Sequence, residues 1–440
     1  KRFDEVFKLC DKYLKQKPNN LVALNYKGMA HLEMKEYDKA LEYLNTAYKI
    51  NPKEKYIAQN RIAILARADM KDELAKAYAE MGENFKEDNY TLGVNFHAKL
   101  NINDWTDYYK QVDDIKAAIS RGKKASVGFA SGYYFDSPSL QQKANSIWVQ
   151  NNCKEDNKLG EIKKLERKPK IRIGYFSSDF YRHVCMNVLA QLFELHDKNR
   201  FEIYAYSFTN IKDDTSDRLE KAFDKFIRVH DKSHEEIAKM AREDQIDIAV
   251  DLVGLTGGGR PQIFALRAAP IQVNYLGCPA TMPCNYMDYI IADHTLIPSD
   301  SRMFYSEKVV YLPDSYQPND RTREISNKVY TRAELGLPKN SFVYASFCGV
   351  VKINPPVFDV WMEILKQVPN SVLWLKKASE ESMKNLLKEA KARGVEESRI
   401  VFAEPVGPTD EYLKLLGMAD LFLDTWPFNA HATASDSLWA

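Results

Sequence analysis

Apolar and polar positions follow two different periods along the chain. From residue 1 to about residue 155, apolar side chains recur at the spacing of amphipathic helices, and strand-like runs are few. From Ile171 onward, short and continuously apolar runs alternate with helical stretches, as is typical of parallel strands covered on both faces. The pattern predicts a helical region followed by two doubly wound α/β domains. The predicted strands are IRIGYF, FEIYAYSF, KFIRVH, IDIAVDL, IQVNYLG, YIIAD and KVVYL in the first domain and FVYASFC, SVLWLKK, RIVFAE and LFLDT in the second.

The helical region contains one clear repeat of tetratricopeptide type. Pro18 and Pro52 are 34 residues apart, and the segment between them predicts helix, turn and helix. Gly28 falls where the two helices must approach closely. Degenerate copies precede and follow this repeat, although an ordinary helical hairpin is the alternative. Because such repeats need stacked neighbours to bury their faces, we expect a longer array that is cut at the N-terminus.

The predicted organisation places a ligand site between two domains. Ligands of doubly wound sheets bind outside the carboxyl ends of the strands, so we expect a cleft where two such ends face each other. The predicted segments are tetratricopeptide repeats over 1–90, a helical linker region over 91–167, an N-terminal Rossmann-like domain over 168–315, a linker over 316–335 and a C-terminal Rossmann-like domain over 336–440.

Composition and motifs argue against several classes of protein. The chain has 62 Lys and Arg against 61 Asp and Glu, so it lacks the basic excess of a nucleic-acid-binding protein. Its 6 cysteines form no CxxC pair, which favours reduced thiols over a disulfide or zinc framework. No run approaches the ~20 apolar residues of a membrane span. No signal peptide is visible, but the first residue is Lys1, and we expect the true N-terminus to be missing. The absence of a GxxxxGK[ST] motif argues against an ATPase.

Small and polar residues follow the last predicted strand, in the sequence WPFNAHATASD. Such a loop before a helix is a candidate phosphate site, because free N–H groups and the positive end of the helix dipole face an anion there. Thr433 adds a hydroxyl donor. Asp436, predicted on the first helical turn, either only starts the helix or binds ribose hydroxyls. Lys352 follows another strand and would balance a pyrophosphate leaving group, although a lone loop lysine is usually only solvated.

The run from Lys168 to Ala440 resembles the nucleocytoplasmic protein O-GlcNAc transferases, including their bacterial members. The resemblance is carried by RIGYFSSDFYRH, DLVGLTGGGRPQIFALRAAPIQVNYLGCPAT, VPNSVLWLKK and ADLFLDTWPFNAHATASDSLWA. It implies a GT-B glycosyltransferase that moves GlcNAc from UDP-GlcNAc to Ser or Thr hydroxyls of proteins, with inversion and without a metal or other cofactor. It also implies a cytoplasmic enzyme whose repeats bind acceptor proteins, with no nucleic acid or membrane partner.

The same resemblance implies roles for individual residues. His183 matches the active-site histidine, a suitable general base, and Lys352 matches the lysine that meets the departing diphosphate. The alternatives are an ordinary loop histidine at 183 and, at 412, a helix residue that packs inward. The implied nucleotide-sugar-binding residues are Tyr412 beside the uracil, His431, Ala432 and Thr433 at the sugar and pyrophosphate, and Asp436 at the ribose.

Departures from the family pattern keep other readings open. Gly349 and Val351 stand where the family has an amide and a tyrosine ahead of Lys352, and Ala432 replaces the first of two threonines. Each lost hydrogen-bond donor costs ~1–3 kcal/mol. A degenerate transferase acting as a tetratricopeptide scaffold, and a relative using GDP-fucose or UDP-glucose, therefore remain alternatives. The elements expected after Ala440 are absent, so we expect an incomplete second domain.

Overall fold

Helices make up the N-terminal part of the computed structural model, which describes residues 3–68, 70–81, 90–162 and 168–440. Residues 82–89, where the predicted repeats end, and residues 163–167, before the predicted N-terminal Rossmann-like domain, lie outside the described residues. The helices are α1 (Phe3–Gln16), α2 (Leu21–Glu33), α3 (Tyr37–Ile50), α4 (Lys55–Arg67), α5 (Lys71–Met81), α6 (Thr91–Asn101), α7 (Tyr108–Ser120), α8 (Gly128–Ser131) and α9 (Pro138–Asn152).

Helices α2 and α3 form the predicted tetratricopeptide unit. Asn20 begins α2 by accepting the N–H of Ala23 at 3.0 Å, as an N-cap asparagine does. A Cβ atom on Gly28 would lie 2.2 Å from Cδ2 of Leu44 on α3. Only glycine therefore allows the two helices to pack this closely, which confirms the reason given for Gly28 from the sequence.

A seven-stranded parallel sheet forms the first α/β domain, in the order β3-β2-β1-β4-β5-β6-β7. All of its predicted strands are confirmed, and of the stretch RPQIFALRAA between β4 and β5 only Gln262–Ala265 is helical. The helix ends there because Arg267 adopts a positive φ of 57° and donates to the carbonyl of Tyr286 at 2.8 Å. The elements are β1 (Ile171–Ser177), α10 (Val184–Glu194), β2 (Phe201–Ser207), α11 (Asp214–Ala222), β3 (Lys225–Arg228), α12 (His234–Glu243), β4 (Ile248–Asp251), α13 (Gln262–Ala265), β5 (Ile271–Asn274), β6 (Tyr289–Ala292) and β7 (Lys308–Tyr311).

The second α/β domain has a four-stranded parallel sheet in the order β10-β9-β8-β11. The predicted fold class, helical repeats followed by two doubly wound domains, is thereby confirmed. One local prediction is wrong: Asp436 is the fifth residue of α17, past the first turn, because residues 432–434 are already helical. The elements are β8 (Phe342–Ser346), α14 (Pro355–Gln367), β9 (Ser371–Lys376), α15 (Glu380–Ala392), β10 (Ile400–Ala403), α16 (Thr409–Leu416), β11 (Leu421–Phe422) and α17 (Ala432–Trp439).

The helical region packs directly on the second domain. Trp105, between α6 and α7, lies edge-on to Phe358 of α14 with ring centroids 5.3 Å apart. Asn385 of α15 donates to the carbonyl of Ile102 at 2.8 Å. The loops at the strand ends of the second domain are therefore bordered by helices of the N-terminal region. Within the described part of the chain, no helix combines the length and apolar character that crossing a membrane requires.

Candidate active site

The loop between β11 and α17 is held in shape by its own side chains. Asp424 accepts the N–H of Ala430 at 2.7 Å through Oδ1. Asn429 donates from Nδ2 to Oδ2 of Asp424 at 2.8 Å and to the carbonyl of Thr425 at 2.6 Å. The Thr425 hydroxyl donates to the carbonyl of Phe428 at 2.8 Å. This bracing fixes the path of the chain into the N-terminus of α17, where the anion site is predicted.

Lys352 lies beside this loop, at the end of a 3-10 helix (Val350–Lys352) that follows β8. Its Nζ donates to the carbonyl of Asn429 at 2.9 Å and lies 4.5 Å from the ring centre of Phe428. Among the described residues, no carboxylate forms an ion pair with Lys352. Burial lowers the pKa of Lys352, with Cys348 and Asp424 opposing that effect. A partly desolvated cation without a paired counter-ion is suited to an anionic ligand.

His431 is the residue at which α17 begins, and its Nδ1 shares a short hydrogen bond with the hydroxyl of Tyr316. Burial, and secondly the charge of Lys352, lower the pKa of His431 to about 4. The imidazole is therefore neutral at pH 7. The structure thus brings two predicted site residues, His431 and Lys352, next to Phe428, whose ring centroid is 5.5 Å from that of His431.

Asp436 on α17 and Tyr412 on α16 form a second group of predicted site residues. Asp436 is only 6% exposed and is ion-paired to Arg323, which comes from the chain between the two domains. Burial raises the pKa of Asp436, and Arg323 opposes that rise. Tyr412 on α16 packs against Phe347 with ring centroids 6.3 Å apart, and burial followed by the charge of Asp436 raises its pKa. The ribose and uracil roles stay predictions, since Asp436 already has a partner.

Ala432 and Thr433 occupy the first turn of α17. Ala432 packs against the hydrophobic cluster of the first domain that contains Met186 and Leu189 of α10. The carbonyl of Thr433 accepts the hydroxyl of Ser437 at 2.8 Å. The N-terminus of α17 therefore lies at the boundary between the two α/β domains, as the predicted cleft requires.

His183 lies on the first domain, where it begins α10. Its Nδ1 is 3.3 Å from the backbone N of Cys185 and 3.6 Å from Oδ2 of Asp179. The donor atoms of these three side chains all lie within 4.8 Å of one another, a spacing that a metal ion can bridge. The spacing is also explained without an ion, because the three residues lie close together in sequence, just before and at the start of α10. Burial, followed by the charge of Asp179, raises the pKa of Cys185 to about 12.

Two cavities lie between the parts of the chain that carry these residues. One, of about 490 Å³, is bordered by α8, the Cys278–Thr281 loop, Tyr316 and the 427–431 loop, and includes His431. The other, of about 610 Å³, is bordered by α10, α11, Arg323 and the residues that begin α16. His183, Tyr412, Thr433 and Asp436 do not line the first cavity.

Sequence reasoning missed three residues that shape this region: Tyr316, Arg323 and Phe428. Tyr316 and Arg323 belong to DSYQPNDRTRE, a polar stretch that separates two strand series and gives no periodic signal. Phe428 belongs to the loop after β11, where it and Trp426 are the two aromatic residues. The available clue was an aromatic residue three positions before a histidine.

Comparison with known proteins now decides the family. The model of glycosyl transferase family 41 matches residues 153–327 and 317–440, and a tetratricopeptide repeat model matches residues 22–54. The chain belongs to glycosyl transferase family 41. The predicted resemblance is thereby confirmed, and the repeat match coincides with α2 and α3.

Similar proteins of this family are known from plants and animals. The chain is 35% identical over 277 residues to a probable UDP-N-acetylglucosamine–peptide N-acetylglucosaminyltransferase SEC of Arabidopsis thaliana, covering 62% of this chain and 28% of the relative. It is 26% identical over 387 residues to a UDP-N-acetylglucosamine–peptide N-acetylglucosaminyltransferase of Caenorhabditis elegans, covering 61% of this chain and 33% of that one. The chain thus spans about a third or less of the length of these relatives.

A solved structure shares the fold over the whole chain. A mutant O-GlcNAc transferase of Thermobaculum terrenum superposes with a TM-score of 0.64 at 24% identity, covering 100% of this chain and 78% of that chain. At this identity the match shows the fold and nothing finer. It agrees with the helical repeats and paired parallel sheets described above.

Proposed function

We propose that the protein transfers GlcNAc from UDP-GlcNAc to Ser or Thr hydroxyls of proteins. The observation that carries this proposal is the meeting of Lys352 and His431 around Phe428, at the N-terminus of α17. A half-buried lysine and a helix N-terminus together favour a diphosphate. Names of the family relatives from Arabidopsis thaliana and Caenorhabditis elegans support UDP-N-acetylglucosamine as donor and a peptide as acceptor.

The proposed reaction is a single displacement at the anomeric carbon. The acceptor hydroxyl oxygen forms the new bond to this carbon, while the bond to the UDP oxygen breaks and UDP leaves with the electron pair. Attack opposite the leaving group inverts the anomeric centre. In the structure Nδ1 of His183 accepts the N–H of Cys185. For Nε2 to accept the proton of the hydroxyl, Nδ1 must release this N–H and donate its own proton to Oδ2 of Asp179, 3.6 Å away.

The leaving diphosphate gains charge as the bond breaks, and fixed positive groups stabilise it. Lys352 and the N–H groups at the start of α17 supply that stabilisation, so the proposed reaction requires no metal. Ala432 lacks the hydroxyl that family members have, but its backbone N–H remains a donor. The tetratricopeptide unit is proposed to bind the acceptor protein, and the chain is proposed to act in the cytoplasm.

Replacing Lys352 tests the role of the site. We expect Lys352→Met to lower kcat by roughly 100-fold or more, because charge stabilisation of the leaving group is lost. The melting temperature should hold or rise, since a partly desolvated cation is removed. Lys377→Met is the matched control: Lys377 follows β9 of the same sheet and is paired at the surface with Glu404. Equal kcat in wild type and Lys352→Met would show that Lys352 has no role in the reaction.

Titration calorimetry with UDP and GDP distinguishes a working transferase from a degenerate one that acts as a tetratricopeptide scaffold. The measurement uses the 440-residue chain. Binding of UDP in preference to GDP supports the transferase and its uridine donor. A folded protein that binds neither nucleotide would mean that Gly349 and Ala432 have disabled the donor site, and the repeats would then be its functional part.

A further inference from the structure

Asn103, in the N-terminal helical region, reaches into the second α/β domain. It follows α6, has a φ of 50°, and is only 1% exposed. Its Nδ2 donates to the carbonyls of Val350 and Ile353, both at 3.1 Å, and its Oδ1 accepts the hydroxyl of Ser382 at 2.6 Å. Every hydrogen bond recorded for this side chain therefore goes to the other domain. The left-handed backbone that aims it there is one that asparagine tolerates well.

The two carbonyls that Asn103 binds flank Lys352. Val350 begins the 3-10 helix that ends at Lys352, and Ile353 is the next residue. Within that turn the N–H of Ile353 donates to the carbonyl of Val350 at 3.0 Å. The side-chain amide of Asn103 therefore adds two hydrogen bonds to a short turn that has few of its own. It thus binds the backbone on both sides of Lys352.

The ring beneath the Lys352 ammonium is held by the same helical region. Phe428 stacks on Tyr133, between α8 and α9, with ring centroids 4.5 Å apart and planes 18° apart. Phe129 of α8 meets it edge-on at 5.5 Å. At Gly132 a Cβ atom would lie 3.2 Å from Cδ2 of Phe428, so the backbone approaches this ring closely.

We propose that the N-terminal helical region positions Lys352, through Asn103 at its backbone and Tyr133 at the Phe428 ring. Asn103 and Tyr133 are positioning residues: Asn103 binds the backbone on either side of the lysine, and Tyr133 packs on the ring that the lysine faces. The inference rests on the proposed function for its effect on turnover. Since misplacing a catalytic group by 1 Å can cost about 100-fold in rate, these contacts matter to kcat more than to donor binding.

The closing experiment compares variants that differ in which contact they remove. We expect Asn103→Ala to lower kcat about 10- to 100-fold while KM changes less than about 3-fold. Two controls lie at the same domain contact. Ser382→Ala removes the bond to Oδ1 but spares both bonds to the turn, and Asn385→Ala removes the bond to Ile102. Both controls should retain turnover within about 2-fold.

The role of Tyr133 is tested with one variant that removes its aromatic ring and one that retains it. We expect Tyr133→Leu to lower kcat with little change in KM, and Tyr133→Phe to restore it, because the phenyl ring keeps the stacking on Phe428. A merely structural role would instead lower the melting temperature in all these variants without separating kcat from KM. Assays are therefore run well below the melting temperature of each variant.

A second readout does not depend on activity. In protein labelled with ¹³C at the lysine ε-carbons, the Lys352 resonance is assigned by its loss in Lys352→Met, and the Phe428 ring shifts it. We expect it to move in Asn103→Ala and Tyr133→Leu but not in Asn385→Ala. If the wild-type protein has no transferase activity but the Lys352 resonance still moves in both variants, the positioning is upheld and the proposed function is overturned. If the wild-type protein is active and neither the Lys352 resonance nor kcat changes in the two variants, the positioning is overturned.

Discussion

At the scale of single residues, Asp251 at the end of β4 has an unbalanced hydrogen-bond environment. Its Oδ1 accepts the N–H groups of Val253 and Gly254 at 2.9 and 3.0 Å. Its Oδ2, and Oδ1 of its strand partner Asn274, are buried without a partner among the described residues. Burial raises the pKa of Asp251 to about 6. A protonated carboxyl can donate to the amide oxygen, whereas a carboxylate cannot.

Asp251→Asn should therefore stabilise the protein at neutral pH. Because the folded-state pKa lies near 6 rather than at its ordinary 3.8, the folded state holds the proton longer, and wild-type stability falls as pH rises between these values. The amide side chain of the variant keeps a hydrogen-bond donor and has no ionisable group. The free energy of unfolding of the variant therefore exceeds that of wild type by up to about 3 kcal/mol above pH 6. Denaturant unfolding of both proteins from pH 4 to pH 8 measures this difference.

The control for this prediction is Asp293→Asn, near the end of β6. The Asp293 carboxylate accepts N–H groups from Thr295 and Leu296 through Oδ1 and from Tyr316 through Oδ2. An amide nitrogen there would face a donor, so we expect Asp293→Asn to destabilise the protein throughout the pH range. An Asp251→Asn variant that behaves like this control would show that Asp251 is ionised in the folded protein.

His431 should respond to pH in the opposite direction. Its pKa in the folded protein is about 4, below the ordinary 6.5, so the folded state takes up a proton later than the unfolded chain. Stability is then present above pH 6.5 and lost as pH falls toward 4, by up to about 3 kcal/mol. An NMR titration of the imidazole resonance should show no protonation above about pH 5. His431→Gln should remove this part of the pH dependence, and titration near pH 6.5 would contradict the burial argument.

At the scale of elements, the strands were predictable from sequence because burial on both faces leaves continuous apolar runs. The loops they lead into were also identified, since small residues after a strand are conspicuous. What could not be predicted was which side chains from elsewhere enter those loops. Tyr316 meets His431, and Arg323 meets Asp436, across 115 and 113 residues of sequence. No local period records such contacts, and they arise only when the two domains pack.

The ion pair between Arg323 and Asp436 is expected to anchor α17. Both side chains are buried, with 7% and 9% exposed, and Nε and Nη2 of Arg323 have no partner in the described chain. Asp436→Ala leaves the guanidinium buried without its counter-ion, so we expect a loss of about 3–5 kcal/mol. Arg323→Met removes those unpaired donors as well and should cost less.

A double-mutant cycle measured by chemical denaturation checks this anchoring. The double variant should be more stable than the sum of the single losses implies, by roughly 1–3 kcal/mol of coupling. Lys328→Ala, which breaks the exposed pair with Glu411, should leave stability unchanged. If Asp436 also binds ribose, Asp436→Ala weakens UDP binding more than Arg323→Met does. Additive single losses would mean that α17 is held by other contacts.

At the scale of the whole molecule, Trp105 joins two hydrophobic clusters. It packs with the cluster of the second domain around Phe358 and with the cluster of the helical region around Leu100. Its ring also lies 5.5 Å from the guanidinium of Arg393, the residue that follows α15. We therefore expect this side chain to couple the unfolding of the helical region to that of the second α/β domain.

Trp105→Ala should reduce that coupling as well as stability. Truncating a large aromatic side chain at a packed contact costs about 2 kcal/mol or more, and here the loss falls on the contact between the two parts. We expect far-UV circular dichroism and the fluorescence of the remaining tryptophans, most of which lie in the second domain, to give separate transitions in Trp105→Ala. Tyr109→Ala, which truncates a residue that is 61% exposed, should keep the wild-type transition. Coincident transitions in Trp105→Ala would show that the helical region and the second domain are coupled through the hydrogen bonds of Asn103 and Asn385 instead.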